Sequence, residues 1–194
     1  RVAAWPELSG VRLLGELRER GYAGGVTQLN DFLRAVRPPV VAPFEVRFET
    51  PAGRQAQVDF AHFMVEFTEQ PGVQHRVWLF AMVLGHSRYL WGQYVLHQDL
   101  GTVLRCHMLA FEHFGGTPHE ILYDRMKTAV LGEAADDSGI VYSAKLIGLG
   151  AHYGFKPRAC KAYRAKTKGK IERPFRYVRA NFFLARSFAN LEDL

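Results

Sequence analysis

The sequence predicts an α/β fold of order βββαβαβα, a mixed sheet flanked by helices and preceded by a small helical segment. Three observations carry that expectation. Between Arg54 and Leu96 lie three apolar runs of strand length, RQAQVDFAHFMVEF, RVWLFAMVL and YLWGQYVL, separated by turn residues. After them, stretches with apolar residues at helical spacing alternate with short strand-like ones. Before them, a proline-bearing stretch follows two helical patterns.

Taken in order, Pro6–Arg37 reads as two short helices. Leu8, Val11, Leu14 and Leu17 recur at helical spacing, Gly21–Gly25 break the pattern, and Leu29, Phe32, Leu33 and Val36 share one face of the second. Helix, glycine-containing turn and helix outline a helix-turn-helix, which would offer Thr27, Gln28, Asn30 and Arg34 to DNA. A plain helical hairpin has the same outline. Residues 39–53 carry prolines and no helical period, as a linker does.

The three apolar runs then read as an antiparallel meander, the second continuous enough for a central strand. Trp78, Phe80, Tyr89 and Trp91 lie on them and read as core. Leu100–Phe114 follows as a helix with a stripe of Leu100, Val103, Leu104, Met108 and Phe111, stopped by Gly115-Gly116. Glu120–Tyr123 is a short strand ending on Asp124. Leu131–Gly139 reads as an acidic mobile loop, Ser143–Tyr153 as a helix with Leu146, Ile147 and Leu149 inward, and Phe155–Arg158 as a strand. A last helix runs from Thr167 to about Leu184, its start set by Pro174. The expected partition is therefore a helix-turn-helix-like segment over 1–38, a linker over 39–53, a catalytic-sized core over 54–186 and the start of a further segment over 187–194.

Hydrophobic residues make up 48% of the 194 and aromatics 13%, enough for a true core and too much for a disordered chain. No run approaches bilayer length, so no membrane role is expected. Arg1 rather than Met opens the chain, which reads as an internal piece of a longer protein. Cys106 and Cys160 stand far apart with no CxxC, which argues against zinc and disulfides and fits a reducing cytoplasm. The eight histidines have no paired ligand spacing; His107 and His113 lie six apart and would not share a helix face. No phosphate loop or hydrolase triad motif appears. Net charge is +6, and its placement is one-sided. Lys156 to Arg186 hold eleven Lys and Arg against one acid, Glu172, whereas Gln55–Phe155 holds six cations and ten acids. Positive charge gathered in one segment is the footprint of a polyphosphate partner, most simply nucleic acid.

Three acids stand out against this background. Asp59 sits among Val58, Phe60 and Phe63 on a strand, where a carboxylate is costly unless paired or on a cation. Asp124 closes a strand where the chain leaves the sheet, a usual place for ligand groups. Glu172 is the lone acid of the basic segment. Each alone has an ordinary reading: a solvated strand rim, a turn cap, and a helical partner of Lys168 or Arg176. In a βββαβαβα sheet, however, the first strand is central with the fourth beside it, so Asp59 and Asp124 could stand side by side. A helix on the sheet could bring Glu172 to them. Three oxygen donors without His or Cys suit Mg²⁺ or Mn²⁺.

QAQVDFAHF, AFEHFGGTPHEILYDRMKTAVLG, AHYGFKPRAC and YRAKTKGKIERPFRYVRANFF together resemble the IstA-type transposases of bacterial insertion sequences, across Pro51–Phe183. The chain departs from that pattern at Arg125, where Asn is usual, and at Ala61-His62 beside Asp59. The resemblance implies a retroviral-integrase-like, RNase H-like catalytic core, with the DDE triad on Asp59, Asp124 and Glu172 as catalytic and metal residues. It also implies two Mg²⁺ or Mn²⁺ ions with DNA bound, metal-dependent cleavage and strand transfer at insertion-sequence ends, and a homo-oligomer on double-stranded DNA. An AAA+ helper ATPase and a cytoplasmic, nucleoid-associated setting follow from the same likeness. Lys127, Lys161, Arg164, Lys166, Lys168, Lys170 and Arg176 are the candidate contacts to DNA phosphates. Two further readings share these residues: an RNase H-like nuclease that cuts without joining, and a catalytically inactive DNA-binding remnant.

Overall fold

A computed structural model describes residues 2–37, 50–124, 126, 128–133, 139–159 and 169–194, with the backbone alone at 133 and 169–172. The chain packs as two compact units. One is bounded by Arg47–Glu172 and Ser187–Leu194, the other by Arg1–Val46 and Arg173–Arg186.

The larger unit is built on a five-stranded sheet. Its strands are β1 (Gln55–Glu66), β2 (Gln74–Leu84), β3 (Leu90–Val95), β4 (Glu120–Tyr123) and β7 (Lys156–Ala159), in spatial order β3-β2-β1-β4-β7. The first three form the expected antiparallel meander, and β4 and β7 add in parallel beside β1. β1 is therefore central, as the order of elements predicts. Phe80 of β2 is wholly buried, and Ala81, Met82 and Val83 follow it without a break, which is why β2 reads as continuously apolar rather than alternating.

The chief core lies on one face of this sheet. Ala56, Val58, Phe80, Met82, Ile121 and Tyr123 meet Cys106, Ala110 and Phe111 of α3 (Leu100–Phe114) and Leu146 of α4 (Ala144–Tyr153). Asp99 caps α3 by accepting from the Thr102 N–H, and Gly115 closes it with φ of 68°, a left-handed conformation that glycine adopts without strain. Past β1, Phe67 bridges to Phe188, and the Thr68 N–H donates to the Phe188 carbonyl, so 187–194 docks along the strand end.

The stretch expected as a mobile loop differs. Val130–Glu133 (β5) and Ile140–Tyr142 (β6) pair as a two-stranded antiparallel ribbon with a bulge at Gly132. Residues 134–138 lie outside the described ones. The ribbon clips onto the main sheet, where the Ala159 N–H donates to the Tyr142 hydroxyl at 2.8 Å.

The smaller unit contains α1 (Gly10–Glu19) and α2 (Val26–Val36), packed through Leu8, Leu13, Leu29 and Leu33 with Leu184 against them. The Arg37 guanidinium ties the end of α2 back by donating to the Leu8 carbonyl. The division between the units falls within α5 (Gly169–Tyr177), which continues as a π-helical segment, Val178–Phe183. Pro174 lies inside α5 rather than at its start; lacking an N–H, it removes one rung of the helix there.

Several side chains expected inside face solvent: Val11, Phe32 and Val36 in the helical unit, and Tyr89, Met108 and Ile147 in the sheet unit. Short helices bury a narrow stripe, and Leu13, Cys106 and Ala110 fill it instead. Tyr89 precedes β3 and lies against His113, its hydroxyl 2.9 Å from the ring Nε2.

Candidate active site

Strand alternation places Asp59. Ala56, Val58 and Phe60 of β1 all pack toward α3, so Asp59 belongs to the opposite face, in line with buried Gln57, Ala61 and Phe63. It is half-buried. On one side Asp59 pairs with Ala81 of β2, and on the other the ladder to β4 ends one residue earlier, at Val58–Tyr123.

Asp124 is the residue after Tyr123 and is also half-buried. The two residues thus sit at one level, Asp59 within β1 and Asp124 just past the end of β4, on neighbouring strands spaced about 4.8 Å apart. The Met126 N–H donates to the Asp124 carbonyl just past the end of β4. This is the carboxyl end of a parallel strand pair, where α/β sheets place their ligands.

Glu172 is the fourth residue of α5, and only its backbone is described. Among the described residues no three His, Cys, Asp or Glu side chains converge. The described donors, half-buried Asp59 and Asp124 on neighbouring strands, fit a hard divalent cation by their chemistry, all-oxygen and anionic. His62 does not join them, because it lies on the other face of β1, its ring 5.7 Å from that of Trp78. Cys106 is buried and its thiol is pushed up to about 11 by that burial, which leaves it a core side chain.

Of the candidate DNA contacts, Arg176 is exposed on α5 and Lys170 lies on the same helix with its backbone alone described. Lys127, Lys161, Arg164, Lys166 and Lys168 fall outside the described residues. Arg173 and Arg179, also exposed, extend the cationic run along the same helical stretch.

One pair next to the site is absent from the sequence reading. His107 of α3 is wholly buried, with Nδ1 2.7 Å from the Val103 carbonyl oxygen and Nε2 2.8 Å from the Tyr123 hydroxyl. Burial pushes the imidazole down to about 4 and the phenol well above its ordinary range. The signal was available: His107 sits four residues after Val103 and four before Phe111, within the apolar stripe of its helix.

The integrase core domain family model matches residues 49–165. The chain is 34% identical over 184 residues to a putative transposase for insertion sequence element IS5376 of Geobacillus stearothermophilus, covering 94% of this chain and 45% of that protein. It is 33% identical over 172 residues to the transposase for insertion sequence element IS21 of Pseudomonas aeruginosa, covering 89% and 43%. Its fold matches a chain of the simian T-cell lymphotropic virus intasome, solved in complex with PP2A regulatory subunit B56 gamma, at a TM-score of 0.51 and 13% identity, covering 81% and 52%. That likeness speaks to the fold, an RNase H-like α/β core. The chain spans about half the length of the curated relatives it matches.

Proposed function

Because the chain belongs to the integrase core domain family, we propose that it is the catalytic part of an insertion-sequence DNA transposase, a DDE polynucleotidyl transferase. The observation that carries this reading is the placement of Asp59 and Asp124 at the shared end of the β1–β4 ladder. Around that pair, Glu172 is the proposed third ligand, supplied from α5.

In the proposed reaction, water opens a phosphodiester at the element's end and leaves a 3′-hydroxyl. That hydroxyl then attacks a target phosphodiester, so one P–O bond breaks as one forms. Asp59, Asp124 and Glu172 would hold Mg²⁺ or Mn²⁺, two ions with DNA present, which when bound supply activation of the attacking oxygen and stabilisation of the leaving one. No protein general base is then required. Asp59 contributes rigidity, since its strand is paired on both sides up to Val58 and by β2 beyond it. Lys127, Lys161, Arg164, Lys166, Lys168, Lys170 and Arg176 would grip the DNA backbone without reading bases. Double-stranded DNA, further copies of the chain and an AAA+ helper ATPase are the proposed partners. No described helix is long and apolar enough to cross a membrane; a cytoplasmic, nucleoid-associated setting is part of the same proposal.

The test is a strand-transfer assay with the element's terminal duplex and a plasmid target, run with Mn²⁺ for the full-length protein and its Asp59→Ala variant. Joined product from the wild type and none from the variant is the expected result. Nicks without joined product would make the protein a nuclease, and cleavage that survives Asp59→Ala would remove the site assignment.

A further inference from the structure

Tyr123 is both the last residue of β4 and the neighbour of Asp124. Its hydroxyl lies 2.8 Å from His107 Nε2, and His107 Nδ1 lies 2.7 Å from the Val103 carbonyl oxygen. A carbonyl only accepts, so Nδ1 carries the ring hydrogen. Nε2 is then an acceptor, and the Tyr123 O–H must be its donor. The direction of the whole chain of bonds is fixed by that one carbonyl.

Both side chains are wholly buried. The imidazole lies among Phe80, Phe111 and Phe155, with ring centroids 5.2, 6.0 and 6.2 Å away. Filling this space with apolar side chains would spare the desolvation of two polar groups. A directional bond does something packing does not: it fixes one strand end against one helix. Position matters here, because Tyr123 is the final β4 residue paired with β1 and with β7. Beyond it the ladder can no longer hold the chain, and the next residue is Asp124.

We propose that His107 and Tyr123 are a positioning pair that sets the Asp124 carboxylate for cation binding. This rests on the reading of Asp59 and Asp124 as cation ligands. Neither ring touches the ion or the DNA; the pair acts through the β4 backbone.

The experiment is Mn²⁺ binding to the chain, followed by the paramagnetic resonance of free Mn²⁺, alongside urea unfolding in EDTA. The proteins are the wild type, Tyr123→Phe, His107→Leu/Tyr123→Phe, and Asp124→Asn. Tyr123→Phe leaves Nε2 buried without its donor, so it loses both stability and about tenfold in Mn²⁺ affinity, the scale of an outer-shell ligand support. The double variant removes both polar groups, so it regains the stability while its Mn²⁺ affinity stays about tenfold low. A purely structural pair would move stability and affinity together. Wild-type affinity in the double variant, with Asp124→Asn impaired, would overturn the positioning role alone. Wild-type affinity in Asp124→Asn would remove the site itself and this inference with it. If Tyr123→Phe fails to fold, the double variant decides.

Discussion

Asp59 and Asp124 each follow the same ladder pair, Val58–Tyr123, so the two residues sit at one level, one within β1 and one just past the end of β4. If the pair holds a divalent cation as proposed, replacing Asp59 with Asn should weaken Mn²⁺ binding and lower metal-dependent cleavage at least about a hundredfold. A Mn²⁺ titration and a cleavage assay of the two proteins check both halves.

His107 sets a pH dependence of stability. Its folded-state value, about 4, lies below the ordinary 6.5, because burial disfavours the charged ring. The unfolded chain therefore takes up the proton first as pH falls. Stability contributed by the neutral ring is complete above about pH 6.5 and declines between there and about pH 4, by about 3 kcal/mol in all. Urea unfolding at pH 7, 5.5 and 4 should show that slope beyond what carboxylates supply, and His107→Leu should remove the excess.

Phe80 is wholly buried at the centre of the sheet, edge-on to Phe60 and Trp91 and beside His107. Truncation to Ala should cost about 3–5 kcal/mol, read from the urea midpoint. By contrast Phe32→Ala and Val36→Ala, on the outer face of α2, should each change stability by no more than about 0.5 kcal/mol.

Arg176 and Arg173 are exposed cations of the basic helical stretch. Each replaced by Ala should weaken duplex binding to the same extent whatever the base sequence. Each should also flatten the salt dependence of the logarithm of affinity by about 0.9. Anisotropy titrations at several salt concentrations on two unrelated duplexes test this; a loss confined to one duplex would mark base readout instead.

Much of the sheet was legible because a strand buried on both faces has to be apolar throughout, as Phe80 to Val83 are. The centrality of β1 followed from the order of elements alone. What escaped notice lay where local pattern is short or mixed. The β5–β6 ribbon has only four and three residues, a bulge at Gly132, and acidic residues between its strands, so it reads as loop. His107 reads as an unpaired histidine because its partner, Tyr123, is sixteen residues away. Pro174 resembles a helix start, yet α5 begins five residues earlier, at Gly169. Of the candidate site residues, Asp59 stood out as a carboxylate within an apolar strand, Asp124 by its place at a strand end and Glu172 as the one acid among eleven cations, and the resemblance between motifs implied their grouping as a triad.

β1 runs eight residues past Val58 with β2 as its companion, whereas β4 stops at Tyr123. The proposed cation would therefore be gripped by a vice with unlike jaws. The Asp59 jaw is bolted into a long strand; the Asp124 jaw sits on a short lip, one residue past the end of β4. Ions of different radius would be accommodated by travel of the second jaw alone. Discrimination between Mg²⁺, Mn²⁺ and the larger Ca²⁺ would then be decided by the stiffness of that lip, a property set in the core behind it rather than among the ligands.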